Sequence, residues 1–430
     1  MTQALSLLLA NVDVSAKEAY ELLLTAIRVE RLKAMAAISA AMNQQHRPFQ
    51  GGGLRATKLA VRMKSHLNRY KTLAFLLSAG ATADTPELRD QLLLDAKCGR
   101  LSHVQLLIKA GVPSHKAEAN VLQWAVEILN SNILDVLLEG HIPPDAASRA
   151  VASVPMAASE ADKIRFVSAL AQKGASSETL GPLLLRAVQD AHPRLTDLLL
   201  QLGATSEYRL DDSQNALCAA AKRGDVALME KLCRANPTAL VPSEALPLAF
   251  DGLASPSRLN DLLRALEILI VQGACGTAID DTVLKALGHP GREKILATLL
   301  PAGILSSTAG QAVDFVIRQS GTESLLMLIC DNATVTGETI QRALEHVFYS
   351  NPEVYDEKKA SVLSGTANRH GYRDALDQLL VNPARDTHPK ANQIADLLLA
   401  DGANINFGDS HVLVAAATSA DPSRVAELLR

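Results

Sequence analysis

Aromatic side chains are scarce in this chain. They make up 3% of its 430 residues, and Trp124 is the only tryptophan. A core built on aromatic stacking is excluded, and so is a surface on which successive nucleic-acid bases stack. No stretch alternates Val, Ile, Thr and aromatic residues long enough to read as a set of strands. No run of about 18 apolar residues occurs, so no membrane span is expected. The apolar run from Ala4 to Ala10 is short and lacks a basic leader, so it does not read as a signal peptide. The five cysteines, Cys98, Cys218, Cys233, Cys275 and Cys330, are odd in number, widely spread and never spaced Cys-x-x-Cys. Free thiols in a reducing compartment are expected, hence an intracellular protein, cytoplasmic or nuclear. Acidic residues are missing altogether from Arg31 to Ala83.

What is present is apolar and aliphatic. Hydrophobic residues are 48% of the chain, and Ala and Leu dominate them. Both are strong helix formers, and Ala lets helix backbones approach closely. An all-α fold is expected. The clearest stretch is Asn215 to Asn236. Leu217, Ala220 and Ala221 form one apolar stripe, Arg223-Gly224-Asp225 breaks it, and Val226, Met229 and Leu232 form a second. Gly is a poor interior helix residue, and Asp caps the helix that begins after it. Two short helices joined by a tight turn are predicted.

That pattern recurs. The first residue of an apolar pair before a turn falls at Leu8, Ile38, Leu76, Leu107, Leu137, Leu170, Leu199, Leu232, Leu269, Leu299, Leu328, Leu398 and Leu428. Most steps lie between 29 and 38 residues; the one from Leu328 to Leu398 is 70. A Gly plus a small residue often comes next, as in Ala79-Gly80-Ala81, Leu202-Gly203-Ala204 and Asp401-Gly402-Ala403. Gly supplies the positive φ that a helix end needs. Fifteen residues before their anchors lie Leu92, Leu122, Leu184, Leu217, Leu284 and Leu413. Gly99, Gly224 and Gly291 lie eight before theirs.

A small-residue inner helix, a Gly break, a Leu-rich outer helix and the ending Leu398 to Asn406, LLADGANIN, together resemble an ankyrin repeat. The period fits that family's value of about 33 better than the roughly 40–47 of HEAT and armadillo repeats. The family's Thr-Pro-Leu-His opening is missing; Asn215-Ala216-Leu217-Cys218 is the nearest match. Irregular HEAT-like hairpin packing is the competing architecture. The resemblance implies an all-α solenoid of about a dozen ankyrin-like repeats. Residues 1–348 read as the array, 349–389 as an insertion within a repeat, and 390–430 as the last repeats, cut mid-repeat. The ends, Leu7 to Asp13 and Leu428 to Arg430, read as parts of repeats, so the expectation is a segment of a longer repeat protein or an unusually truncated array.

Signatures of chemistry are few. No Gly-x4-Gly-Lys-Ser/Thr loop, His-Glu-x-x-His pair or Gly-x-Ser-x-Gly elbow occurs. The histidines have no metal-ligand spacing. Cys218 and Cys233 read as small core hydrophobes. Glu353, Asp356, Glu357, Lys358 and Lys359 read as a solvated helix face. No enzyme, cofactor or metal is therefore expected.

The resemblance implies a non-enzymatic scaffold that binds partner proteins on its inner helices. A regulatory or sensor array of a larger enzyme or nucleotide-switch protein is the alternative. Three places are candidate contacts. Arg55, Lys58, Arg62 and Arg69 recur at helical spacing, with Leu59, Met63 and Leu67 opposite them. Residues 1–83 hold eleven Lys and Arg against four Asp and Glu, while the whole chain carries −4. An unpaired cationic stripe would suit an acidic protein partner, a phosphoinositide surface or nucleic acid, and the near-absence of aromatics around it argues against nucleic acid. Trp124 lies on an inner helix, where it either anchors a partner or fills a gap. Asp211, Asp212 and Gln214 fall at the turn tip ahead of the clearest repeat.

Overall fold

The computed structural model describes residues 15–44, 53–116, 120–209, 215–234, 240–349, 356–385, 390–417 and residue 425. Among the described residues the regular structure is entirely helical. The chain divides into two compact units, Met1–Thr205 and Ser206–Arg430.

The first unit holds six helical hairpins. They are Ala16–Arg28 with Leu32–Gln44, Leu54–Val61 with His66–Ser78, and Pro86–Lys97 with Leu101–Lys109. Then come Val121–Glu127 with Ser131–Leu138, Pro144–Ala152 with Glu160–Ala171, and Gly181–Gln189 with Pro193–Gln201. The first helix of each hairpin packs on the first helix of the next from Ala16–Arg28 through Pro144–Ala152. The short turn Ser177–Leu180 then carries the stack on to Gly181–Gln189.

The second unit holds six more hairpins. They are Ala216–Arg223 with Val226–Cys233, Leu240–Leu253 with Leu259–Val271, and Thr277–Ala286 with Arg292–Leu299. Then come Ser306–Ile317 with Glu323–Asn332, Gly337–Tyr349 with Glu357–His370, and Arg373–Arg385 with Ala391–Ala400. The helix Phe407–Ala417 comes last. Here both rows are continuous: each first helix packs on the next first helix, and each second helix on the next second helix.

Local chemistry sets these ends. Ser15 and Glu18 form a reciprocal capping box, and Thr85, Asn130, Ser159, Asn215 and Asp225 each accept a hydrogen bond from the backbone three residues on. The recurrent Leu-x3-Gly-small ending is a C-terminal cap. The amides of Ala81, Val112, Ala204, Ala274 and Ala403 donate to the carbonyls of Leu76, Leu107, Leu199, Leu269 and Leu398 at 2.9–3.0 Å. The intervening glycines have φ of 83° to 97°, and the small residues themselves are buried. That is the Schellman arrangement.

The repeat length is written in the contacts between neighbouring hairpins. Arg55 with Glu21, the Lys64 amide with Glu30, Gln105 with Glu139, Arg258 with the Gly224 carbonyl, Arg264 with Glu230 and Lys285 with Asp251 all join residues 34 apart. Ala220 and Ala221 are fully buried. The next first helix comes so close that a Cβ at Gly252 would meet the Lys222 carbonyl oxygen at 2.6 Å.

Three expectations need correction. Leu284, Leu328 and Leu413 are only half-buried, and the adjacent Val283, Ile329 and Val412 take the core positions. The 70-residue step does not hold an insertion. Glu357–His370 packs as a second helix between Glu323–Asn332 and Ala391–Ala400, and Arg373–Arg385 packs as a first helix. Leu363, Leu376, Leu379 and Leu380 are buried core. Finally, Lys359 is not on a solvated face. It is 3% exposed and donates to the carbonyls of Ile317 and Gln319, with Asp356 at 3.5 Å. A buried ammonium is tolerated here because it satisfies carbonyls at the negative end of Ser306–Ile317.

Candidate partner-binding surface

The first helices of the first unit share one burial register. Taking the residue just past each helix as reference (Arg62, Cys98, Ile128 and Ser153), the positions two and six before it are buried in all four helices. The position four before it holds Lys58, Leu94, Trp124 and Arg149, which are exposed or half-exposed. With 3.6 residues per turn, that position and the reference lie on one face, turned away from the packed side. Consecutive stacking of these helices makes the face continuous across four hairpins.

The basic stripe sits at one end of this face but is neither continuous nor unpaired. Arg55 and Lys58 lie on Leu54–Val61, Arg62 ends that helix, and Arg69 lies on His66–Ser78. The single helix expected through Arg69 breaks because Ser65 caps a new one, accepting from the Asn68 amide at 3.3 Å. Met63 is buried, but Leu67 is 52% exposed, and the buried residues of Leu54–Val61 are Ala56, Thr57 and Ala60.

Three of the four cations are partnered across hairpins. Arg55 pairs with Glu21 at 3.0 Å and Lys58 with Glu87 at 3.0 Å. Arg69 donates to the Met63 carbonyl at 2.6 Å and to Gln91 at 3.3 Å. Glu87, Gln91 and Asp95 recur every four residues on Pro86–Lys97, a polar stripe that meets the cations. Burial works to raise the Glu87 carboxyl, but its own backbone amide, Lys58 and Arg62 together hold it below the ordinary value. Arg62 makes no ion pair among the described residues.

Trp124 is half-exposed, while Val121, Leu122, Ala125 and Val126 form the buried side of its helix. Asp211, Asp212 and Gln214 lie outside the described residues.

Two features were not anticipated. Asp95 is 1% exposed, accepts from Arg100 at 3.0 Å and faces the His103 ring nitrogen at 3.4 Å; His103 in turn stacks on Tyr70 at 4.7 Å. The carboxylate, guanidinium and imidazole brace the turn of one hairpin, and the stacking of His103 on Tyr70 ties that hairpin to the one before it. The Asp95 to Arg100 spacing was the only sequence signal for it. In the second unit an open cleft of about 550 Å³ borders Arg223, Gly224, Asp225, Arg258, Asp261 and Arg264. Its Arg258 is held by the Gly224 carbonyl and Asp261, and its Arg264 by Glu230. The chain's own groups therefore occupy these two charges.

Among the described residues, no three His, Cys, Asp or Glu side chains are placed to hold a metal ion. The thiols of Cys218, Cys233 and Cys330 are buried, and that burial pushes them up to about 11; Cys98 and Cys275 are exposed. No helix among the described residues is long and apolar enough to cross a membrane. No protein-family model matches this chain, and no curated protein matches it either.

Proposed function

We propose that this chain is a degenerate ankyrin-like repeat scaffold that binds a partner protein on the open face of its first helices and catalyses no reaction. The supporting observation is the common register of the first unit. Four successive helices turn the same position outward, and at that position stand Lys58, Leu94, Trp124 and Arg149. A stack whose members contact only their neighbours leaves such a face free along its length. The 34-residue contact spacing and the Schellman endings support the ankyrin-like reading. Free thiols support a reducing, intracellular setting.

The test is selection of a displayed protein-fragment library on the immobilised chain, repeated on Leu94→Gln/Ile128→Gln. Both side chains are 48% exposed, so the variant is expected to keep the fold, which circular dichroism checks. Fragments that bind the chain and not the variant are expected. Fragments retained equally by both would place binding elsewhere and overturn the proposal.

A further inference from the structure

We infer that the seam between the second and third hairpins is an internal water-binding site, holding about two waters among Arg69, Glu87, Gln91 and Asp95. The observation is a cluster of buried polar atoms that find no partner in the protein. Arg69 Nε, Glu87 Oε2, Gln91 Nε2 and Asp95 Oδ2 all lie at this seam without a hydrogen bond. Elsewhere among the described residues such atoms stand far apart along the chain, as at His115, His192 and Ser206. Buried polar groups are ordinarily satisfied by protein or by ordered water, so orphans gathered at one seam mark a place for water.

The fold brings the four side chains together. Arg69 lies on His66–Ser78, and the other three lie on Pro86–Lys97. Glu87, Gln91 and Asp95 are four residues apart, so they share one helix face at steps of about 6 Å along the axis. Arg69 donates to Gln91 Oε1 at 3.3 Å, which sets its guanidinium over the middle of that face. The same bond orients the Gln91 amide: its oxygen faces Arg69, and Nε2 is left as an unused donor. Gln91 is 2% exposed and Asp95 1%, so bulk solvent does not serve them. Arg69 donates also to the Met63 carbonyl but makes no ion pair among the described residues. Glu87 Oε1 takes Lys58 and Asp95 Oδ1 takes Arg100, each at 3.0 Å. Asp95 Oδ2 lies 3.4 Å from the His103 ring nitrogen, yet makes no hydrogen bond to it.

The balance of donors and acceptors selects the ligand. The guanidinium and the amide offer hydrogens, and the two carboxylates offer lone pairs. A cation here would meet Arg69, and an anion would meet Glu87 and Asp95. Water does both tasks without charge. One water beside each carboxylate accepts from Arg69 Nε or Gln91 Nε2 and donates to the orphaned oxygen. Arg69 thereby serves the fold through water and is withdrawn from partner binding.

The experiment compares the full chain with Gln91→Met, which keeps the side-chain length and removes the amide, circular dichroism confirming the fold. Oxygen-isotope magnetic relaxation dispersion counts waters that stay longer than the protein tumbles. The variant is expected to lose about one to two of them. A crystal structure of the wild type, at a resolution that shows ordered water, should place density within about 3.2 Å of Gln91 Nε2 and Asp95 Oδ2. An unchanged count in a folded Gln91→Met would overturn the site. So would a wild-type crystal structure in which the seam is dry, or in which Arg69 or Gln91 bonds the carboxylates directly. That structure decides alone if Gln91→Met does not fold.

Discussion

The turn inside each hairpin offers a paired test at two positions of the first unit. Two residues past the first helix, the backbone takes a left-handed conformation. Gly99 fills this place with φ 68°, but Ala191 fills it with φ 59°. The hydrogen bonds are the same. Gly99 and Ala191 donate to Ala96 and Val188, and Arg100 and His192 donate to Asp95 and Ala187. An L-residue pays about 1–2 kcal/mol in this region. Removing the Cβ loosens the unfolded chain by about 0.4–1 kcal/mol. Ala191→Gly should therefore stabilise by roughly 0.5–1 kcal/mol, the difference of those terms. Gly99→Ala should destabilise by about the same amount, because its new Cβ meets nothing within 4 Å and only the φ matters. The assay is urea unfolding followed by Trp124 fluorescence, which reports the first unit alone because the chain has no other tryptophan. With slopes of about 1–3 kcal/mol/M, the midpoints should move by a few tenths of a molar in opposite directions. Movement in the same direction would refute the equivalence of the two turns.

Packing and charge give further expected outcomes. Ala220→Leu overfills a site with no exposure and should cost roughly 1–3 kcal/mol, read as a lower melting temperature. Glu87 has a folded pKa below its unfolded one, so its stabilisation is present above the ordinary carboxylate range and fades as pH falls through the lowered value. The stability gap between wild type and Glu87→Gln, measured by urea midpoints across pH, should accordingly shrink on acidification; a gap that widens contradicts the Lys58 pairing. Native protein should titrate two fast thiols, Cys98 and Cys275, with the other three reacting only on unfolding. Replacing residues 349–389 by a short Gly-Ser linker removes two core helices and should cost helicity and stability in the second unit; unchanged melting would mean that Leu363 and Leu376 pack nothing essential.

Much of the helical framework could be read from the chain because its signals are local. The Leu-x3-Gly-small endings are caps completed within six residues, and Ala220 and Ala221 announce a close helix contact by their size. The slips at Leu284, Leu328 and Leu413 arose where a β-branched neighbour was equally apolar, so period alone could not choose between them. Glu357–His370 was missed as a hairpin member because it has no Leu-Leu ending and stops instead at Gly371, φ 72°. The cationic stripe looked bare for a different reason. Its partners Glu21 and Glu87 are 34 and 29 residues away, and nothing in the stretch itself shows which carboxylates the fold will deliver. Ser65 as a helix cap was visible as a residue type but hidden by the regular spacing of the cations around it.

The open face of the first unit is tested most directly by hydroxyl-radical footprinting of the chain, free and bound to a fragment selected on it. Side chains at Leu94, Trp124 and Ile128 should lose reactivity in the complex, while exposed second-row residues such as Leu101 keep theirs. Protection confined to second-row helices or to the second unit, with Leu94, Trp124 and Ile128 as reactive as in the free chain, would contradict a partner seated on the first helices.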